Sequence, residues 1–156
     1  MKNFLQALII LTCISGCAKK QEGCMPVSPA TEESQITAYA ATKGITAQKH
    51  SSGIYYQIIE PGTGTTQPTL NSIVYITYTG ELLNGTQFDQ GTDASATGWK
   101  LGTLIEGWGI GLPLIRKGGR IKLIIPSSLA YGCNGSGEKI PPNSVLFFDI
   151  SLIDVR

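Results

Sequence analysis

In the eleven residues before the terminal arginine, Leu146, Phe148, Ile150 and Leu152 occupy every second position. Side chains of an extended strand alternate between faces, so this spacing commits Val145–Val155 to a long strand with one buried face. Such a strand needs partners and a cover. The same alternation recurs upstream. Val74, Ile76 and Tyr78 share one face, and Tyr75 and Thr77 the other, up to Gly80. Ile54, Tyr56 and Ile58 alternate into the turn cluster Pro61-Gly62-Thr63-Gly64, and Ile121–Ile125 is stopped by Pro126. Asn84-Gly85, between Leu82-Leu83 and Phe88, is a strong hairpin signal. With 19 glycines and 8 prolines in 156 residues, turns are frequent enough to join such strands antiparallel.

Helical signals are fewer. Thr31, Glu32, Glu33 and Ser34 predict a helix start with acid in its first turn. Ile36, Tyr39 and Ala40 follow at helical spacing and Gly44 closes the segment, which is short enough that it must dock or fray. Ala18–Pro29 is polar, holds two prolines and reads as a tether. Leu104–Ile115 is apolar with a crude helical period, yet contains Gly107, Gly109, Gly111 and Pro113. Each interior glycine disfavours a helix by about 1 kcal/mol, and proline by more.

The N-terminus has a character of its own. Lys2, an apolar run from Phe4 to Ile14 and the small residues Ser15 and Gly16 have the layout of an export signal. Ile14-Ser15-Gly16-Cys17 resembles the lipobox of bacterial lipoproteins. That resemblance implies cleavage before Cys17, acylation of its thiol and a membrane anchor. With Ala18 next, it implies sorting to the outer membrane. No run reaches the roughly 18–20 apolar residues of a spanning helix.

The remaining landmarks occur in a fixed order: Tyr78-Thr79-Gly80; Asn84-Gly85 then Phe88-Asp89; Leu101-Gly102; Leu104-Ile105-Glu106-Gly107-Trp108; Gly118; Ala130-Tyr131-Gly132; Ile140-Pro141-Pro142-Asn143; and Phe147-Phe148-Asp149. This series resembles the FKBP-type peptidyl-prolyl cis/trans isomerases (macrolide-binding immunophilins) over about residues 53–156. The resemblance implies an α+β fold: a twisted antiparallel sheet of five to six strands wrapped around one short helix that starts near Trp108. The chain then divides into a signal peptide (1–16), a lipidated tether with a short helix (17–52) and an isomerase domain (53–156).

By the same resemblance, Trp108 forms the floor of a pocket walled by Tyr78, Phe88 and Phe148. Leu104 and Ile105 come from the strand-to-helix corner, with the Ile105 N–H offered to a peptide carbonyl. Asp89 and Tyr131 supply polar contacts, and Ile140 lies on a flap between Gly132 and Asn143. The expected partners are proline-containing polypeptides of the cell envelope and macrolide inhibitors. The chemistry fits that expectation. Rotation about X-Pro needs an apolar box and preorganised hydrogen bonds, not a nucleophile.

Other chemistry lacks parts. The one histidine, His50, precedes the domain and reads as a solvated linker residue. No phosphate loop and no Cys/His cluster of metal spacing is present, so no cofactor or metal is implied. A formal net charge of +1 gives no reason to expect nucleic acid. Within the resemblance, a non-catalytic proline-binding chaperone and an envelope scaffold are the alternatives. Thr97-Gly98 before Trp99, and Ser136 and Lys139 on the flap, depart from the family's bulkier choices.

Cys24 and Cys133 remain once Cys13 leaves with the signal and Cys17 carries lipid. In an oxidising compartment they either bridge, pinning the tether beside the pocket mouth and restraining the flap, or stay as two thiols. Spacing does not choose.

Overall fold

The computed structural model describes residues 23–156, so the segment expected to be an export signal, with Cys17, lies outside the described residues. A helix, α1 (Pro29–Thr42), leads into strands β1 (Gln48–Lys49), β2 (Tyr55–Glu60), β3 (Ile73–Leu82), β4 (Gln87–Gly91) and β5 (Trp99–Lys100). A second helix, α2 (Glu106–Gly111), precedes β6 (Gly119–Ile125) and β7 (Leu146–Val155). The strands form one sheet in the order β1-β2-β6-β7-β3-β4, with β5 also on β3, and every pairing is antiparallel. Five strands are of ordinary length. The two-residue strands β1 and β5 extend the count to seven, beyond the five or six expected. None of the described helices is long and apolar enough to cross a membrane.

The long strand read from alternation lies inside the sheet, between β3 and β6. Its register sets Phe148 between Gly80 and Leu123, and Ile150 between Tyr78 and Ile121. The inward rows (Val74, Ile76, Leu123, Ile125, Leu146, Ile150, Leu152) are fully buried and close over α2 and the turn after it, where Trp108 and Leu112 are buried. Ile58, expected on the buried face of β2, is 39% exposed near that strand's end; Ile54, just before the strand, is fully buried.

As the resemblance implied, the glycine-rich segment is helical, over Glu106–Gly111, followed by one tight turn over Leu112–Leu114. Contact with β6 explains the composition. A Cβ on Gly107 would sit 2.7 Å from Ile125 Cδ1, and one on Gly111 would sit 2.6 Å from Leu123 Cδ1. Glycine lets the helix backbone lie directly on the strand, and the apolar surface so buried outweighs its poor helix propensity.

The first helix begins two residues before the expected start. Ser28 is its N-cap and Pro29 opens its first turn, where a missing N–H costs nothing. Its end is a Schellman motif. Gly44, at φ +64°, donates to the Ala41 carbonyl, and Ile45 donates to Ala40 at 2.8 Å. The helix docks. Ile36, Tyr39, Ala40 and Ile45 pack with Tyr55, Ile124, Val145 and Phe147 on the sheet face away from α2. Nor is His50 in a solvated linker. It is half-buried in the turn before β2, where its Nδ1 accepts the Ser52 N–H at 3.1 Å.

Candidate active site

Between the sheet and α2 the packing leaves a cavity of about 360 Å³, lined by Tyr78, Phe88, Asp89, Trp99, Thr103, Leu104, Ile105, Trp108, Tyr131 and Phe148. Its wall is a run of edge-to-face aromatic rings. Trp99 meets Tyr78 at 6.0 Å, Tyr78 meets Trp108 at 5.1 Å, Trp108 meets Phe148 at 5.1 Å, and Phe148 meets Phe88 at 5.6 Å. Each such pair contributes about 0.5–1.5 kcal/mol beyond its buried area, so the five rings hold one another in place. Trp108, brought in by α2, is 4% exposed and sits against both Tyr78 and Phe148.

Space for these rings is written into β3. Gly80 pairs with Phe148 on one side and Asp89 on the other. A Cβ there would come 2.7 Å from Phe88 Cζ and 2.8 Å from Phe148 Cε1. Any side chain at Gly80 would push apart the Phe88–Phe148 pair. The hairpin after β3 turns at Gly85, φ +87°, and Asn84 Oδ1 accepts the Thr86 N–H. It carries β4 back alongside β3, which places Phe88 inward and Asp89 at the rim.

The polar groups gather on one side. The Tyr78 hydroxyl donates to Asp89 Oδ2 at 2.7 Å, while Asp89 Oδ1 accepts the Gln90 N–H at 2.9 Å. Burial first, then the hydrogen bond to the Asp89 carboxylate, pushes the Tyr78 phenol well above its ordinary range, so it stays a neutral donor. Burial, followed by the Asp89 charge, also raises Tyr131, which is 39% exposed at the lip. Ile105 precedes α2 as its N-cap, and its N–H has no acceptor among the described residues. Ile105 is also a lining residue of the cavity, so this unpartnered donor belongs to the wall's own backbone.

Of the nine pocket residues named from sequence, eight line this cavity. Ile140 does not. It is 5% exposed under the flap and lines an adjoining cavity with Phe88, Asp89, Tyr131 and Ser136–Lys139. Trp99 and Thr103 were missed. Trp99 sits on a two-residue strand, too short to show alternation, and only its pairing with Val74 turns it toward Tyr78. The unusual Thr97 nearby serves the backbone of the sheet, since its Oγ1 accepts the Ile76 N–H at 2.9 Å, where β3 has lost a strand partner. No cluster of metal-ligating side chains occurs among the described residues. An apolar, ring-walled box with a neutral phenol and a free backbone donor can orient an amide and lower the polarity around it.

A family model described as FKBP-type peptidyl-prolyl cis-trans isomerase matches residues 64–153, more than half of the chain. Over 119 residues the chain is 42% identical to the FKBP-type peptidyl-prolyl cis-trans isomerase FkpA of Escherichia coli K12, covering 76% of this chain and 43% of that protein. The crystal structure of the Escherichia coli FkpA matches with a TM-score of 0.69 at 38% identity, over 83% of this chain and 59% of that one. A crystal structure of a peptidyl-prolyl cis-trans isomerase from Pseudomonas syringae pv. tomato matches with a TM-score of 0.68 at 33% identity, over 85% and 98%. The chain thus spans less than half the length of its Escherichia coli relative. Fold, pocket and these matches agree: the chain belongs to the FKBP-type peptidyl-prolyl cis-trans isomerase family.

Proposed function

We propose that this protein catalyses cis/trans isomerisation of X-Pro bonds in exported polypeptides, without a covalent intermediate. The observation that carries the reading is the ring-walled cavity over Trp108, lined also by Ile105, whose N–H has no partner among the described residues. Amide resonance sets a barrier of about 18–20 kcal/mol, and the planar amide is more charge-separated than the twisted one. Moving the prolyl amide from water into an apolar box therefore favours the twisted form. A fixed N–H on the neighbouring carbonyl adds orientation. Lowering the barrier by about 5–8 kcal/mol gives about four to six orders of magnitude in rate. Trp108 seats the proline ring, Tyr78, Phe88 and Phe148 exclude water, and Tyr131 and Asp89 bound the open side. A macrolide with a proline-like ring occupies the same box.

Exchange spectroscopy on a short peptide with an apolar residue before proline tests this. Micromolar protein should accelerate cis/trans exchange. Peptide binding without acceleration would instead make the protein a proline-binding chaperone or scaffold.

The same proposal places the protein on a membrane, supported by Ile14-Ser15-Gly16-Cys17 at the end of the apolar leader. Full-length protein made in a bacterium should partition with membranes, and Cys17→Ser should abolish acylation. Quantitative recovery of unmodified wild-type protein in the soluble periplasm would refute the anchor.

A further inference from the structure

The segment 127–133, which carries Tyr131, is held at both ends by the N-terminal part of the chain. At its start the Glu32 carboxylate, only 3% exposed, accepts the backbone N–H of Ser127 at 2.9 Å. At its end Cys133 is disulfide-bonded to Cys24, with the Cα atoms 5.5 Å apart. Tyr131 lies between the two ties and lines both cavities.

The holding side is firm. Glu32 belongs to α1, whose Ile36, Tyr39 and Ala40 are buried against the sheet. Pro29, at the helix start, packs so closely on Gly53 that a Cβ there would sit 2.6 Å from Pro29 Cβ. On the held side only Leu129 and Ala130 pack, partly buried, against the core. Residues 128–139 are all half-buried or exposed. The flap closes on itself through Asn143 N–H to the Gly132 carbonyl at 2.8 Å and a Ser136–Ile140 bridge, with Gly135 N–H reaching the same carbonyl at 3.4 Å. The Tyr131 hydroxyl has no hydrogen-bond partner among the described residues. The ring is therefore placed by the backbone that carries it.

We propose that the N-terminal segment is a brace for the pocket lip: Cys24 and Glu32 are positioning residues that hold Tyr131 over the cavity, and opening the Cys24–Cys133 bridge weakens substrate binding. Both residues lie outside the matched family domain, 64–153, so the brace is an addition to it. Its effect on substrate rests on the isomerase reading above. Cys24 is exposed, so a dithiol can reach the bridge. One reagent thiolate displaces a cysteine sulfur, the second releases the other, and the products are two protein thiols and one cyclic reagent disulfide.

The test uses full-length protein from an oxidising compartment, in detergent, as the oxidised form, the dithiothreitol-reduced form and Cys24→Ser/Cys133→Ser. Each is also made with Tyr131→Ala. Opening the bridge should lower kcat/KM for an X-Pro peptide about tenfold, mostly through KM, and reoxidation of the wild type should restore it. With Tyr131→Ala, the state of the bridge should make no further difference. Amide exchange across 128–140 should rise on opening while β3, β6 and β7 stay protected. Unchanged exchange across 128–140, or an equal kinetic loss with and without Tyr131→Ala, would overturn the brace. An inactive oxidised wild type would sink the isomerase reading instead, and the exchange measurement would still decide whether the lip is braced.

Discussion

The floor and the lip of the pocket are built by different physics. Trp108, Tyr78 and Phe148 are at most 8% exposed and held by ring contacts and by burial against the sheet. Tyr131 is 39% exposed and held by the backbone between one carboxylate hydrogen bond and one disulfide. Packing is cooperative and fails as a unit, whereas two discrete ties can be cut one at a time. On the proposed reading the floor sets what fits, and the lip is the part to be altered without unfolding the domain.

The strongest way to break that contrast is to empty the floor. Trp108→Ala removes a buried indole and should cost about 3 kcal/mol of stability or more, with loss of peptide binding. Urea unfolding measures the first and calorimetry the second. Unchanged stability would mean that the rings do not act as one unit.

Cutting the covalent tie should cost less. The bridge closes a loop with a sequence separation of 109. Cys24→Ser/Cys133→Ser should lower global stability by about 2–4 kcal/mol, chiefly by freeing the unfolded chain. Oxidised and substituted proteins compared in urea would show it. Loss of amide protection in β3, β6 and β7 of the substituted protein under native conditions would erase the distinction between floor and lip.

Alkaline pH probes both regions at once. The Tyr39 phenol is pushed up to about 12 by burial, with the Glu81 charge second, and Tyr55, Tyr78 and Tyr131 are raised as well, burial again coming first. Tyrosines in the unfolded chain ionise near pH 10, roughly their unperturbed value. Folded-state values above that make their contribution complete below about pH 10 and progressively lost above it. Thermal melts should therefore be insensitive to these groups up to about pH 9 and decline beyond about pH 10. Ultraviolet titration should show late-ionising phenols that become ordinary in denaturant.

The smallest stability effect belongs to Asp89→Asn. Its amide oxygen can still accept the Tyr78 hydroxyl, so stability should move by less than about 1 kcal/mol. Loss of the charge should bring the Tyr78 titration part of the way down, since burial remains its larger cause. Peptide affinity should fall more than stability does. If affinity and turnover are both unchanged, Asp89 has no part in the site.

Legibility from sequence followed the same divide. The floor residues fall in strands with clear alternation or in the landmark series, and Tyr78, Phe88, Trp108 and Phe148 are all named by it. The lip was legible only as the residue Tyr131. Of its ties, the Cys24–Cys133 bridge was legible only as one of two alternatives, and the carboxylate tie not at all: Glu32 reads as ordinary acid in a first helical turn, yet it is buried and reaches Ser127. Ile140 lies on the flap as read, but its buried side chain lines the adjoining cavity and not the ring-walled one.

By itself the sequence determined the longer strands β2, β3, β6 and β7, the hairpin at Asn84-Gly85 and the inward rows of β3 and β7. Those features are local: alternation and turn chemistry need no knowledge of what lies opposite. Tertiary structure alone decided three others. The six residues of α2 are helical because Gly107 and Gly111 meet β6, a contact that no propensity contains. Trp99 lines the pocket because β5 pairs with β3. Cys24 meets Cys133 because α1 docks beside Pro126 and Ser127, and two cysteines with a sequence separation of 109 carry no distance information until the chain between them has folded.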